Sequence, residues 1–506
     1  MHLEKHQLKP ADDKHMLPFK ENILELIPST HGGLIRKTSQ QYSIPLSDIV
    51  DFSASLNPLG SPFDNPEWDM DLQDLFATSF EKMGQYPDNR YLEYRAAAAF
   101  FVGGGADAVN IVPGNGSSEI IRLVAGCILN EGDEVMIPQP TFAEYEQQCR
   151  VAGAKIVYYP VESLFSISED ALESARVLFV CNPNNPTGKL LAREDILRLA
   201  GLCAETDTLL FVDEAFIELS DISSTVVDVA VSNDHVFVMR SLTKSFALPG
   251  IRMGFGVASE TMAEKLNTAR LPWNMGSLAE EVGCSLMGME GGMESAYLNV
   301  SRQKITEYRD YLIDRLSDIY GFHPHSSSVN YILVDISELL MDSVELTKRL
   351  ARHGVLIRDC SSFPLMKNDF IRLAVRPPEE TDILIHTIGE VLTESGKDYA
   401  EEKLKETIKG VSSGCSSSRN TCEYYPCHFE GQDCTFCFCP FYPCEDTRTG
   451  GKWIDSTTGS RVWSCEDCVL VHNSDVVHRM LNILMEDGGT EISLKKAWDE
   501  VIDISL

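Results

Sequence analysis

The stretch SLTKSFALPGIRMGFG sets Lys244 just after an apolar run, with Ser241 three residues before it and Arg252 eight residues after. A lysine becomes a catalyst when its amine forms a Schiff base with a carbonyl. Other residues fit one such partner. Asp213 ends the strand-like run LLFVDEA, where it can keep a ring nitrogen protonated. The segment IVPGNGSSEII places Gly116, Ser117 and Ser118 where a helix should begin. Free backbone N–H groups and the helix dipole make that a phosphate site. Ser241 and Arg252 can add two more phosphate contacts. Phe142, just after PQPT, offers an aromatic face, and Asn185, in CNPNNPTGK, can donate to a ring hydroxyl oxygen. Aldehyde, ring nitrogen, phosphate and hydroxyl together describe pyridoxal 5'-phosphate. Each residue alone has a plain alternative: a solvated lysine, a helix cap, a core phenylalanine. Their joint order carries the reading.

These residues need a scaffold. DEVMIP, RVLFVCN, TLLFVDEAF and HVFVMRS are short, apolar runs, as strands buried on both faces should be. Helix-period stretches such as TFAEYEQQCRVAG and REDILRLAGLCAE lie between them. The alternation predicts an α/β domain with a mostly parallel sheet, whose ligands bind at strand C-terminal ends. From about residue 290 a long helical pattern leads into VNYILVDI, VLIRDC and FIRLAVR, which predicts a smaller α+β domain. The expected division is an N-terminal extension (1–24), an arm joined to the small domain (25–60), the large domain (61–275), the small domain (276–400), a linker (401–421), a cysteine-rich module (422–475) and a C-terminal helical segment (476–506). Ser474 or Asp475 is the expected N-cap of that last segment. The extension should be mobile, with His2, His6 and His15 solvated.

The set PGNGSSE, CNPNNPTGK, VDEAF and SLTKSFALPGIRMGF resembles the fold type I pyridoxal phosphate-dependent enzymes, over roughly residues 25–395, and within them the histidinol-phosphate aminotransferase branch. The resemblance implies that Lys244 carries the cofactor aldehyde, Asp213 pairs with the ring nitrogen and Asn185 contacts the ring hydroxyl. Ser117, Ser241 and Arg252 would hold the phosphate. Tyr86, in QYPD, matches a tyrosine that such homodimers lend to the neighbouring active site. The aminotransferase pattern usually reads DEAY, whereas this chain has Phe216.

The N-terminal STHGGLIRKTS followed by DFSASLNPLG resembles threonine-phosphate decarboxylases of cobalamin synthesis. By that resemblance His31, Gly32 and Gly33 bind the substrate phosphate, with Ser55 nearby. Two glycines let backbone N–H groups approach an anion. Arg372 matches an arginine for the substrate α-carboxylate and Arg358 one for the substrate phosphate; bidentate guanidinium geometry suits both. Arg376 reads as a structural salt bridge. The implied reaction is decarboxylation of O-phospho-L-threonine to (R)-1-amino-2-propanol O-2-phosphate. The alternative is a histidinol-phosphate-type aminotransferase. A non-catalytic regulator of the same fold is disfavoured by the retention of Lys244, Asp213 and Arg252.

The chain has 506 residues and a net charge of −33, which argues against nucleic acid as a partner. No apolar run approaches the ~20 residues that span a bilayer, and the N-terminal residues lack a signal core, so a cytoplasmic protein is expected. Nine of its fifteen cysteines crowd between Cys415 and Cys468. Cys434 with Cys437, and Cys465 with Cys468, have metal-knuckle spacing. Cys422, Cys427, Cys439 and Cys444 lie close by in sequence, as do His428 and His472. These donors suit zinc or an iron–sulfur cluster. The module could also add threonine kinase activity that makes phosphothreonine, but no GxxxxGK[ST] loop supports this.

Overall fold

The computed structural model describes residues 19–28, 32–68, 70–411, 422, 424–457, 459, 461–486 and 488–506. Most of the expected N-terminal extension, His2, His6 and His15 included, lies outside the described residues. Its last part is held, not mobile. Glu21–Leu24 form one helical turn, and the Asn22 amide donates to Arg150 O (2.7 Å) and Val151 O (3.2 Å). These carbonyls lie in the last turn of a helix, where acceptors remain open to a side-chain donor.

A two-residue strand β1 (Val50–Asp51) opens the ordered core. Then β2 (Ile111–Gly114), β3 (Glu134–Gln139), β4 (Lys155–Pro160), β5 (Ala175–Cys181), β6 (Leu209–Asp213), β7 (Val236–Ser241) and β8 (Gly254–Val257) build one sheet, in the order β2-β8-β7-β6-β5-β3-β4. Strands β3 to β7 pair in parallel; β8 runs antiparallel to β2 and β7. Every residue of β6 and β7 is buried, as their unbroken apolar runs require. The edge strand β4 is only partly covered. On one face Phe179, Phe211 and Phe237 form a cross-strand ladder, with ring centroids 4.8 and 5.2 Å apart. The ladder ends at Gly256, where a Cβ would lie 2.1 Å from Phe237 Cζ. Only glycine leaves room for that ring.

The small domain contains β9 (His323–Pro324), β10 (Tyr331–Asp335), β11 (Val355–Leu356), β12 (Arg358–Asp359) and β13 (Phe370–Ala374). Its four-stranded sheet has the order β12-β13-β10-β9, while β1 pairs in parallel with β11. Phe52 sits in this domain's apolar core, so the N-terminal arm belongs to it, as the sequence suggests. The expected boundary at residue 276 does not match the packing. Helix Ser277–Met287 and residues 297–305 of the next helix lie in the large-domain core, whereas Leu312 and Leu316 lie in the small-domain core. That helix, Ala296–Ser317, is 22 residues or about 33 Å long, enough to serve both cores.

The expected linker is also corrected. Helix Pro378–Val411 continues through its first part. Leu384, Ile388 and Val391 of this helix pack in the small domain, and Leu404 packs with Phe436, Val477, Met480 and Leu484 of the C-terminal domain. Residues 412–421 lie outside the described residues. The C-terminal domain adds a hairpin of β14 (Lys452–Asp455) and β15 (Arg461–Ser464), then helix Ser474–Glu486. The cap of that helix is Asn473, whose side chain accepts from Asp475 N–H, so Ser474 is already helical.

Behind the C-terminal ends of β6 and β7 lies a buried charge network. Arg240 pairs with Glu214 (2.8 Å) and Glu218 (2.8 Å), and all three side chains are fully buried. Glu214 also accepts from Thr225 (2.7 Å) and Glu218 from Ser245 (3.0 Å). Arg240→Met would leave two buried carboxylates without their cation. The expected cost is roughly 3–5 kcal/mol, read from denaturant unfolding. A variant as stable as the parent would show that the network does not hold this edge.

Candidate active site

The strand ends meet in a cleft of about 330 Å³ between the two domains. The large domain contributes Ser117, Ser118, Phe142, Asn185, Asp213, Ser241, Lys244 and Arg252; the arm and small domain contribute Gly32, Ser55, Arg358 and Arg372. The sequence reading is therefore assembled in one place, with four exceptions. His31 lies outside the described residues. Gly33 and Gly116 stand beside the cleft, as shown below. Tyr86 is 78% exposed and stacks on Trp273 at 4.4 Å, outside the cleft.

Lys244 sits in the short helical turn that follows β7. Burial first, then the charges of Arg372 and Arg252, lower its amine to about 8. Its carbonyl accepts from Asn57 N–H (3.0 Å), and the Asn57 amide donates to Ser245 O (2.8 Å). Asp213 ends β6. Burial raises its carboxyl to about 6, against hydrogen bonds from Tyr145 O–H and Ala215 N–H. Phe142 packs edge-on against Tyr145, with centroids 5.6 Å apart.

The phosphate end is a backbone cradle. Ser117 starts a 12-residue helix directly after Gly116, whose φ is +81°. A Cβ on Gly116 would meet Arg252 Nη2 at 2.4 Å, so glycine brings the guanidinium against the helix N-terminus. Ser241 Oγ lies 2.9 Å from Thr243 Oγ1 on the same rim.

The small-domain side of the cleft carries two arginines in register. Arg358 on β12 stands directly opposite Arg372 on β13. Like charges placed directly opposite destabilise a sheet, and both arginines are buried, 9% and 7% exposed. Arg372 donates to Asn185 Oδ1 and Ser53 O (3.0 Å) and lies over the Tyr331 ring. Arg358 donates to Ser362 (2.8 Å) and lies over Phe363. The Ser53 hydroxyl accepts from Gly33 N–H (2.9 Å), and a Cβ on Gly32 would strike Ser53 O at 2.7 Å. The double glycine is thus seated against the residue that holds Arg372. Arg376 pairs with Glu380 (2.7 Å), as the salt-bridge reading requires.

Two buried polar atoms of the cleft, Ser55 Oγ and Arg372 Nε, have no partner among the described residues. With the lowered lysine, the buried aspartate and the glycine cradle, they fit pyridoxal phosphate and an anionic substrate. Sequence reasoning missed Ser53, Asn57, Thr243 and Tyr145. Thr243 lay inside the lysine motif; Asn57 and Tyr145 act across long sequence separations and left no local signal.

The cysteine-rich domain holds the expected donors in separate groups. Burial, then the neighbouring thiols of Cys465, Cys468 and Cys444, push the Cys439 thiol well above the usual range, so these four lie near one another. Cys427 and Cys434 both accept from the Gln432 amide (2.9 and 3.5 Å), and His428 and His472 stack at 4.3 Å. Cys422 and Cys437 are exposed. The donor types suit a metal, but among the described residues no three such side chains are gathered as a ligand shell. No described helix is long and apolar enough to cross a membrane.

Residues 47–388 match the family described as "Aminotransferase class I and II", and residues 415–494 match a "Cysteine-rich small domain". The chain is 31% identical over 312 residues to a histidinol-phosphate aminotransferase of Ruminiclostridium cellulolyticum, covering 60% of this chain and 83% of that protein. It is also 31% identical over 369 residues to a protein of Caldanaerobacter subterraneus subsp. tengcongensis that bears the provisional name threonine-phosphate decarboxylase, covering 71% and 93%. The histidinol-phosphate aminotransferase structure from Sinorhizobium meliloti superposes with a TM-score of 0.63 at 20% identity, covering 75% and 98%. The chain belongs to the aminotransferase class I and II family of pyridoxal phosphate-dependent enzymes, with fold type I and an added C-terminal cysteine-rich small domain.

Proposed function

We propose that the protein decarboxylates O-phospho-L-threonine to (R)-1-amino-2-propanol O-2-phosphate, the reaction that the relative from Caldanaerobacter is named for. The observation that carries this reading is the cross-strand pair Arg358 and Arg372, set beside the Gly32–Gly33 turn. Two buried guanidiniums side by side call for a ligand with two anionic groups. Phosphothreonine has a carboxylate and a phosphate. Phe216, which lines the cleft without a hydroxyl, departs from the aminotransferase pattern and favours the same reading.

Lys244, Asp213, Asn185, Ser117, Ser241 and Arg252 would hold pyridoxal phosphate. Bound there, the cofactor supplies an electron sink for the pair left at Cα when carbon dioxide departs. The protein's share is placement. Arg372 takes the carboxylate, and Arg358 with the double-glycine turn takes the phosphate. Anchoring both ends limits rotation about Cα, so remote binding energy is used for orientation. Lys244, lowered to about 8, can hold or release a proton near neutrality and is the donor placed to protonate Cα. The two active sites of a homodimer would be completed by the exposed Tyr86 of each partner.

The deciding experiment supplies cofactor-loaded protein with phosphothreonine and no keto acid, and scores carbon dioxide and aminopropanol phosphate. Turnover is expected. Silence there, with turnover of histidinol phosphate once 2-oxoglutarate is added, would establish the aminotransferase instead; that second reading is favoured by the similarity to the Ruminiclostridium enzyme.

Arg358→Gln is expected to lower kcat/KM for phosphothreonine by about 10- to 100-fold, the size of one or two lost charged hydrogen bonds. An unchanged ratio would remove Arg358 from the phosphate site. The Lys244 amine is also directly testable. The unprotonated amine is the nucleophile, so its labelling rate in cofactor-free protein should rise with pH through a midpoint near 8 rather than the usual 10.5. Peptide mass spectrometry over a pH series reads this, and a midpoint above 10 would contradict the lowered value.

A further inference from the structure

Tyr145 has no part in the sequence reading, yet it touches the residue on which the cofactor's electronics depend. It lies on helix Glu144–Ala152 and is fully buried. Its ring stacks on Phe179, with centroids 4.9 Å apart and planes at 16°, and meets Phe142 edge-on. Phe179 in turn packs on Phe211, so Tyr145 extends the phenylalanine ladder of the sheet. Side chains two residues apart on a strand share a face. One step beyond Phe179 and Phe211 stand Cys181 and Asp213, which are themselves cross-strand partners. A ring clamped on the ladder therefore has its hydroxyl at the level of that pair, where Tyr145 O–H donates to Asp213 Oδ2.

We propose, resting on the pyridoxal phosphate reading above, that Tyr145 is a positioning residue that keeps Asp213 ionised and fixed in orientation so that the ring nitrogen stays protonated. The Asp213 carboxylate has two oxygens and two internal donors: Ala215 N–H on Oδ1 (2.9 Å) and Tyr145 O–H on Oδ2. Together they set the plane of the carboxylate that faces the cleft. Apart from these two donors, the surroundings oppose ionisation. Burial raises its carboxyl, and the nearby charges of Glu214 and Glu218 add to that. A hydrogen bond to the charged form favours that form. Tyr145 supplies one from the buried side of the carboxylate. Without it, the aspartate becomes the stronger base, and the proton is drawn from the ring nitrogen towards the carboxylate.

The test is Tyr145→Phe, which deletes one oxygen and keeps the ring on its ladder. The parent and variant are loaded with pyridoxal phosphate labelled with nitrogen-15 in the ring, and the nitrogen chemical shift is recorded across pH 6–9. The parent should show a protonated ring nitrogen. The variant should fold, retain cofactor and show the resonance moved towards the unprotonated position, with kcat lower by about tenfold, as one charge-assisted hydrogen bond implies. Asp213→Asn should move the resonance further, and adding Tyr145→Phe to it should change nothing more. A variant with the parent's nitrogen shift would overturn the inference while leaving the cofactor assignment intact. A parent that takes up no pyridoxal phosphate would overturn both.

Discussion

Arg240, enclosed between Glu214 and Glu218, is the contact on which the geometry of the cleft depends. Each member of this network is a chain neighbour of a site residue or lies close to one. Glu214 follows Asp213, Arg240 precedes Ser241, and Ser245, which donates to Glu218, follows Lys244. The ends of β6 and β7 and the lysine turn are thereby fixed from behind. Burying such charges gains little stability, because desolvation offsets attraction; removing one partner is what costs. A network of this kind is poor glue and a good jig. Asn57 completes it from the opposite side, binding the backbone of Lys244 and Ser245 and also the side chains of Tyr297 and Ser301.

The electrostatics of the molecule divide by location. The chain carries a net charge of −33, yet Lys244, Arg252, Arg358 and Arg372 all line one cleft. Net charge governs solubility and long-range association, whereas binding follows the local field. The register of β12 and β13 places two arginines where a sheet would ordinarily avoid them. Arg372 is tied to two neutral oxygens, of Asn185 and Ser53, which orient the guanidinium without neutralising it. Its charge remains directed at whatever enters the cleft.

How much of this was legible in the sequence follows from the range of the interactions. The strands β3, β5, β6 and β7 announce themselves because burial on both faces leaves unbroken apolar runs. The cofactor residues are legible because each sits at a strand end or helix start, where type and position together limit the chemistry. The edge strand β4, only partly covered, mixes Lys155, Tyr158 and Tyr159 with two aliphatic residues and does not read as a strand. Tyr145 and Asn57 were invisible for another reason: their partners lie 68 and 188 residues away, and nothing local distinguishes them from core residues. The domain boundary at 276 and the linker at 401 were misplaced because single helices cross both junctions. A composition shift marks where side chains change, not where a helix changes the core it packs against.

Those two helices bear on how the cleft works. Asp213 and the residues proposed to hold the cofactor stand at the ends of the large sheet, while Arg358 and Arg372 stand on the small one. Their separation is therefore set by whatever joins the cores. Helix Ala296–Ser317 places Tyr297, Leu298 and Ile305 in the first core and Leu312 and Leu316 in the second. Packed cores deform little, and near-native placement matters because small errors in position cost large factors in rate. A continuous helix rooted in both gives a stiffer spacing than a loop would. The arm adds a second tie, with Phe52 in the small core and Asn57 on the lysine turn. Under the proposed reaction, substrate orientation is thus a property of the connection between the domains as much as of Arg358 and Arg372.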